Sequence, residues 1–337
     1  MKTVRFARLG APAEVLELFD EPAPVPGDDD VLVTLTACAI HPSDLMNVRG
    51  LYGRPPSLPF VPGNDAAGVV AALGKNVKHF TVGERVMLLL GATGGRGTWR
   101  EQVAVPARML VKTPASLSDD QAGALWVNCL SIWVMAVDLL DLKSGDVLLQ
   151  TAAGSQLGRA MVQLAKLRGF TLINVVRRSE QVKELETLGA KNVIATADGP
   201  LAERVKAIVG KAGLRWAIDA VGGETGQQVL ESLSAGGTMI SFGALDGAPI
   251  SVNPGLVLFK ELTLRGFWLT RWLQSVPVEK LRAVVDTIVG HAAKGELTPA
   301  IDQRFPLSAV REAVIRAETA GRMGSVVLTP DNNALSG

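Results

Sequence analysis

The sequence predicts an α/β fold: a mostly β domain, residues 1–120 with 271–337, interrupted by a doubly wound parallel sheet over residues 121–270. Three observations predict it. The first 115 residues hold short β-branched runs broken by Pro and Gly. From residue 146, strand-like and helix-like segments alternate at the spacing of βαβ units. After about residue 270 that rhythm stops, and strand-like sequence returns near the C-terminus. A length of 337 residues suits two domains, and 47% hydrophobic against 20% charged residues gives each a core to bury.

Taken in order, residues 30–40 (DVLVTLTACAI) open with β-branched residues at every second position, as a strand with one buried face does. Pro and Gly crowd residues 50–63, and residues 67–70 and 85–90 read as short strands. Residues 118–142 change character, with Leu125, Cys129, Ile132 and Ala136 at helical spacing. Residues 146–153 (DVLLQTAA) read as a buried strand, and 158–168 as a helix with Met161, Leu164 and Ala165 on one face. A strand at 171–176 leads into a helix over 179–188, for which Ser179 is the expected N-cap. Further strands are expected at 192–195, 216–220, 238–242 and 324–328, with a helix at 279–293.

Composition excludes several function classes. Lys+Arg 34 against Asp+Glu 33 leaves +1, and no basic run is interleaved with aromatics, so nucleic acid is not an expected partner. Two cysteines, Cys38 and Cys129, are too few for a disulfide framework and suit a reducing compartment. The opening MKTVRFARLG lacks the apolar core of a signal peptide, and the apolar runs are too short to span a bilayer. The expectation is a soluble, cytoplasmic protein.

The turn after the strand at 146–153 reads Ala152-Ala153-Gly154-Ser155-Gln156-Leu157-Gly158. Holding a pyrophosphate needs backbone that can approach closely and free amides at a helix N-terminus. Gly154 opens such a pattern and Gly158 supplies a later glycine, while Gln156 stands at the middle position. Taken alone, these residues fit an ordinary strand-to-helix turn equally well. The flanking strand and helix and the alternation beyond them favour the nucleotide site. NAD enzymes place an acidic residue about 20 residues past this turn, to hold the ribose. Here Arg177-Arg178-Ser179 begins 23 residues after Gly154. Two guanidiniums can clamp a 2′-phosphate that a carboxylate would repel. The plain alternative is a solvated pair at a helix start, but arginine there opposes the helix dipole, which favours an anionic partner. NADPH (NADP+) is the expected cofactor.

Catalysis by metal is not expected. His41, His79 and His291 show no ligand spacing, Cys38 reads as core, and His41 reads as a loop residue before Pro42. A metal-free hydride transfer to an activated alkene must stabilise charge on a carbonyl oxygen and deliver a proton to the α-carbon. The Gly- and Pro-rich segment 41–53 carries the chain's only tyrosine, Tyr52. With a pKa of about 10, a phenol stays protonated near neutrality and can donate. A surface tyrosine without a role is the alternative; placement in such a loop favours the functional reading. Asp44 reads as a hydrogen-bonder of that loop.

The segment HPSDLMNVRGLYG (41–53) resembles the matching loop of medium-chain 2-enoyl thioester reductases. Gly97-Thr98-Trp99-Arg100, Val127-Asn128, QTAAGSQLG, Val175-Val176-Arg177, Ala220-Val221-Gly222-Gly223 and Ala235-Gly236-Gly237-Thr238-Met239 match in order, as does FKELTLRGFWL from Phe259. The resemblance implies a GroES-like β domain plus a Rossmann domain, usually as a homodimer. It implies NADPH-dependent reduction of the C=C bond of 2-enoyl thioesters of coenzyme A or acyl-carrier protein. Quinone or other α,β-unsaturated carbonyl reduction is the alternative, and a non-catalytic NADPH-binding protein a distant third. Tyr52 matches the catalytic tyrosine. Asn128, Gly154, Ser155, Gln156, Leu157, Arg177, Phe242, Gly243, Ala244, Leu245, Phe267, Trp268, Leu269 and Thr270 match cofactor-contacting positions, with Arg178 and Ser179 completing the phosphate clamp. Metal-dependent relatives carry zinc on a Cys of the first loop and a Gly-His-Glu segment, where this chain has Pro42 and Gly63-Asn64-Asp65. The departures are Gln156 for a small residue, Arg177-Arg178-Ser179 for Arg-Asp-Arg, Ser325 for a lysine, and an N-terminus without the transit peptide of mitochondrial members.

Overall fold

The computed structural model describes residues 1–331. The chain folds into two compact units, Met1–Asn128 with Val289–Gly337, and Cys129–Ile288. The sequence put these borders at residues 120 and 270. The last six residues of the chain lie outside the described ones.

In the first unit, β1 (Lys2–Arg5) and β2 (Glu17–Asp20) form an antiparallel pair around the short helix α1 (Pro12–Val15). The alternation read at residues 30–40 becomes β3 (Asp30–Ile40), half-buried at every second residue until Ala37, after which it is wholly buried. The change reflects its place in the sheet. β3 pairs along its length with β4 (Ala66–Leu73) and further with β6 (Gln102–Pro106), while β5 (Arg85–Leu88) and β7 (Leu110–Lys112) extend the sheet beyond β4. Phe6 and Phe60 pack edge to face in its core, ring centroids 5.8 Å apart, with Trp99 fully buried in the same cluster.

Two expectations need correction here. Segment 41–53 is not a continuous loop, because α2 (Pro42–Arg49) fills most of it. Pro42 sits at the first helical position, where its missing N–H costs nothing, and Asp44 accepts the His41 amide at 2.8 Å. Gly50 ends the helix at φ +73°, and Tyr52 lies just beyond it. His41, expected as a loop residue, is therefore the N-cap of this helix. The helical stretch near 118–142 is likewise divided: α3 (Asp119–Ala122), then α4 (Trp126–Trp133), which runs into a π-helical turn at Val134–Leu139.

The second unit carries six strands: β8 (Val147–Gln150), β9 (Thr171–Val176), β10 (Val193–Ala195), β11 (Trp216–Asp219), β12 (Thr238–Ser241) and β13 (Thr263–Gly266). Every pairing is parallel, in the order β10-β9-β8-β11-β12-β13. Counted within the unit this is 3-2-1-4-5-6, the dinucleotide-binding order, whose direction of growth reverses between β8 and β11. The connecting helices include α5 (Gln156–Arg168), α6 (Glu180–Thr187), α7 (Leu201–Val209), α8 (Gly223–Ser232), α9 (Pro254–Lys260) and α10 (Leu269–Ser275). Leu149, Ile173, Ala217 and Met239 from the sheet pack with Leu201, Val205 and Val229 from the helices. All four residues of β13, the edge strand, are exposed.

Ser179 does not cap α6 as the sequence suggests. Its backbone is already helical, and its hydroxyl donates to Asp198 at 2.5 Å. After α11 (Val278–Ala293), the chain adds β14 (Ile301–Pro306), α12 (Val310–Glu318) and β15 (Ser325–Thr329) to the first sheet. β15 pairs antiparallel with β3, and β14 lies parallel to β15.

Candidate active site

Open parallel sheets bind ligands at the carboxyl ends of strands beside the reversal, which here means the ends of β8 and β11. The strand expected at 146–153 stops at Gln150, because Ala152 takes a left-handed φ of +50° and the chain turns. Ser155 then caps α5, its Oγ accepting the Gly158 amide at 3.1 Å. A Cβ on Gly158 would lie 2.5 Å from the Ala153 carbonyl oxygen, so glycine is required for α5 to start this close to the strand end. First-turn amides of such a helix lack intrahelical acceptors, which makes a site for an anion. The turn therefore fits the pyrophosphate of a dinucleotide.

Buried polar side chains lock this frame. Gln150 Nε2 donates to the Gly158 carbonyl at 3.0 Å and to Asn174 Oδ1 at 2.7 Å, tying β8, β9 and the turn together. Asp219, at the end of β11 and fully buried, accepts the Thr151 hydroxyl at 2.6 Å and the amides of Val221 and Gly222 at 3.1 and 2.9 Å. Single-residue reading of the sequence missed Thr151 and Asp219. The only signal for them was their place at the ends of expected strands.

Besides the turn, the residues matched to cofactor contacts fall in four places. Arg177 is exposed after β9, and Arg178 lies with its Nε 3.8 Å from Glu180. Phe242, Gly243, Ala244 and Leu245 follow β12, where the Leu245 amide bonds to the Ala220 carbonyl and brings this loop beside the one after β11. Phe267 and Trp268 follow β13, while Leu269 and Thr270 start α10. Asn128 is buried in α4, and its Nδ2 has no hydrogen-bond partner among the described residues. An unpaired buried amide donor is unfavourable by roughly 1–3 kcal/mol, and a ligand acceptor would offset that.

In the first unit, Tyr52 is half-buried just past α2. Near it in sequence lies a buried cluster that the residues alone did not reveal. His41 Nε2 is 3.0 Å from Asp65 Oδ2, with 4% and 0% side-chain exposure. Asp65 also accepts the Val127 amide at 3.0 Å, one residue before Asn128. Asp44, likewise buried, accepts from Asn64 Nδ2 at 2.6 Å. Burial lifts the Asp44 carboxyl to about 6, against the opposing pull of His41 and its hydrogen bonds. Burial also acts to lower the His41 pKa, but the Asp65 hydrogen bond and the charges of Asp65 and Asp44 leave it raised. Cys38 is core, as expected: burial pushes its thiol up to about 12, and Sγ donates to the Thr98 carbonyl at 3.0 Å. Among the described residues no group of three His, Cys, Asp or Glu side chains could hold a metal.

Residues 27–115 match the alcohol dehydrogenase GroES-like domain, and residues 157–289 match the zinc-binding dehydrogenase model. The chain is 32% identical over 319 residues to the mitochondrial enoyl-[acyl-carrier-protein] reductase of Homo sapiens, covering 93% of this chain and 84% of that protein. The chain belongs to the zinc-independent medium-chain dehydrogenase/reductases. Solved members of this family share its fold throughout. Escherichia coli quinone oxidoreductase complexed with NADPH superposes with a TM-score of 0.86 at 28% identity, over 98% of this chain and all of that one. Pseudomonas syringae quinone oxidoreductase gives 0.85 at 30% identity over 98% and 99% of the two chains. As a medium-chain reductase, this protein is an oxidoreductase built from a GroES-like and a Rossmann domain, and its cofactor is a nicotinamide dinucleotide.

Proposed function

We propose that this reductase uses NADPH to reduce the C=C bond of 2-enoyl thioesters. The observation that carries the reading is Tyr52: the chain's only tyrosine, half-buried beyond the glycine cap of α2, at the position that matches the catalytic tyrosine of 2-enoyl thioester reductases. The reduced nicotinamide supplies a hydride when bound. The turn from Gly154 through Ser155, Gln156 and Leu157 holds its pyrophosphate, and Arg177, Arg178 and Ser179 receive the 2′-phosphate. Asn128 offers its free Nδ2 donor, and Phe242–Leu245 and Phe267–Thr270 line the rest of the dinucleotide site.

Hydride arriving at the β-carbon leaves an enolate on the thioester. The Tyr52 hydroxyl donates to that oxygen or passes a proton to the α-carbon, an interaction strongest in the transition state. Replacing Tyr52 by Phe keeps the ring and removes the donor. Turnover of a 2-enoyl thioester should fall by roughly 10²–10⁴-fold, while NADPH affinity and melting temperature stay near wild type. Turnover within a few-fold of wild type would overturn the assignment.

Quinone reduction is the second reading, favoured by the quinone oxidoreductases among the similar structures. A panel of enoyl thioesters, enones and quinones, followed by NADPH oxidation, separates the two. We also infer a cytoplasmic homodimer. No described helix is long and apolar enough to cross a membrane. The open edge of β13, with Leu258, Phe259 and Leu264 exposed nearby, is the surface on which a second copy would pair.

A further inference from the structure

The first unit holds a cationic cavity apart from the His41 cluster. About 430 Å³ in volume, it is lined by Ser57, Pro59, Phe60 and Val61, which follow Tyr52 in the same connection, and by Arg96 and Arg100. That volume lies in the range of small-ligand sites, roughly 300–1,000 Å³. Main-chain carbonyls, not carboxylates, hold both guanidiniums. Arg96 donates from Nε to Thr93 at 2.9 Å and from Nη2 to Ala104 at 3.1 Å, and Arg100 Nη2 donates to the Arg96 carbonyl at 2.5 Å. Neither forms an ion pair among the described residues, and Arg100 Nε is buried without an acceptor. Burial, opposed by the charge of Glu21 and reinforced by that of Arg96, pulls the Arg100 pKa below its usual value; Glu21 itself pairs with Arg5 at 2.9 Å.

Two neighbouring cations, Arg100 partly buried and Arg96 exposed, neither in an ion pair among the described residues, favour the arrival of an anion. The rest of the lining selects which anion. Pro59, Phe60 and Val61 provide apolar contact for an aliphatic chain, and Ser57 provides a hydroxyl. We propose that this cavity takes the phosphate group of the substrate's carrier arm, the phosphate ester of the branched pantetheine chain that coenzyme A and acyl-carrier-protein thioesters share. The inference rests on the thioester reading above and names the part of the substrate that the first unit recognises.

The test separates binding from turnover. Calorimetric titration of the full-length protein with 4′-phosphopantetheine and with pantetheine should show the phosphorylated arm binding roughly 10–100-fold tighter, the range for charge-assisted hydrogen bonds. In R96Q/R100Q that ratio should collapse to near one, and in wild type it should shrink as salt rises. If R100Q does not fold, R96Q alone and competition by inorganic phosphate in wild type give the same reading. Michaelis constants for 2-butenoyl thioesters of coenzyme A and of a carrier protein then tell which source is used. Equal wild-type affinity for the two arms, or a ratio untouched by the substitutions, would overturn the subsite even if thioesters are reduced. Arginine-dependent phosphate binding without reduction of any thioester would overturn the reductase reading and leave the anion site standing.

Discussion

Replacing Gly158 by alanine tests the cofactor turn directly. In an open helical position this change stabilises by about 1 kcal/mol. At Gly158 the added Cβ would meet the Ala153 oxygen, Cα and carbonyl carbon at 2.5, 2.6 and 2.7 Å, all main-chain atoms that cannot swing aside. Reaching ordinary van der Waals separation requires the start of α5 to retreat by about 1 Å. Overpacking of this kind destabilises by roughly 1–3 kcal/mol, which outweighs the propensity gain. At about 2–4 °C per kcal/mol for a unit of this size, the melting transition should fall by about 2–12 °C. Moving the first-turn amides should also weaken NADPH binding by roughly tenfold or more. Gly290, in α11 with nothing within 4 Å of its would-be Cβ, is the matched control. G290A should leave affinity unchanged and raise the melting temperature slightly. Calorimetry and fluorescence titration with NADPH read both variants. A G158A protein that melts at or above wild type and binds NADPH within twofold would refute the argument from close packing.

Three further perturbations probe other parts of the molecule. Replacing Arg177 and Arg178 by alanine should raise the Michaelis constant for NADPH at least tenfold more than that for NADH; a wild type that uses the two equally would end the clamp assignment. Asp65→Asn removes the carboxylate that holds both the His41 ring and the Val127 amide. Breaking a buried pair is worth roughly 3–5 kcal/mol, so urea unfolding should show a loss of that order, and a loss below about 1 kcal/mol would count against the pair as a structural element. The last concerns pH. Asp44 is raised to about 6 and His41 is raised from 6.5, so both hold protons more tightly folded than unfolded. Stability from these groups is present at low pH and falls as pH rises, through about 4 to 6 for Asp44 and above 6.5 for His41. Asp44 accounts for at most about 3 kcal/mol of this. Urea midpoints from pH 4 to 7 should therefore decline less in D44N than in wild type, and a steeper decline would contradict the buried-carboxyl account.

Elements with strong internal periodicity were legible in the sequence. β3 carries its burial in its alternation, and β9 runs from Thr171 to Val176 as its apolar run suggests. α2 was hidden because Pro42, Gly50 and Gly53 read as breakers, although two of them work as its first residue and its C-cap. β13 was hidden because an exposed edge strand need not be apolar. The candidate site divides in the same way. The Gly154–Gly158 turn and Arg177 sit on local signals next to a strand. His41 and Asp65 stand 24 residues apart, and Thr151 and Asp219 stand 68 apart, so only the folded chain brings them together. Ser179 shows a limit of local chemistry: a good capping residue gives its hydroxyl to Asp198 instead.

Having a single tyrosine gives this protein a built-in reporter. Ring-labelled tyrosine would place one set of aromatic resonances in the whole spectrum, all from Tyr52, without any substitution. Its phenolic ionisation could likewise be followed by absorbance with no other tyrosine contributing. On the role proposed for Tyr52, the same probe would register cofactor and substrate as each is added. The state of one hydroxyl, half-buried past α2, could thus be read in the unmodified enzyme at each stage of its cycle.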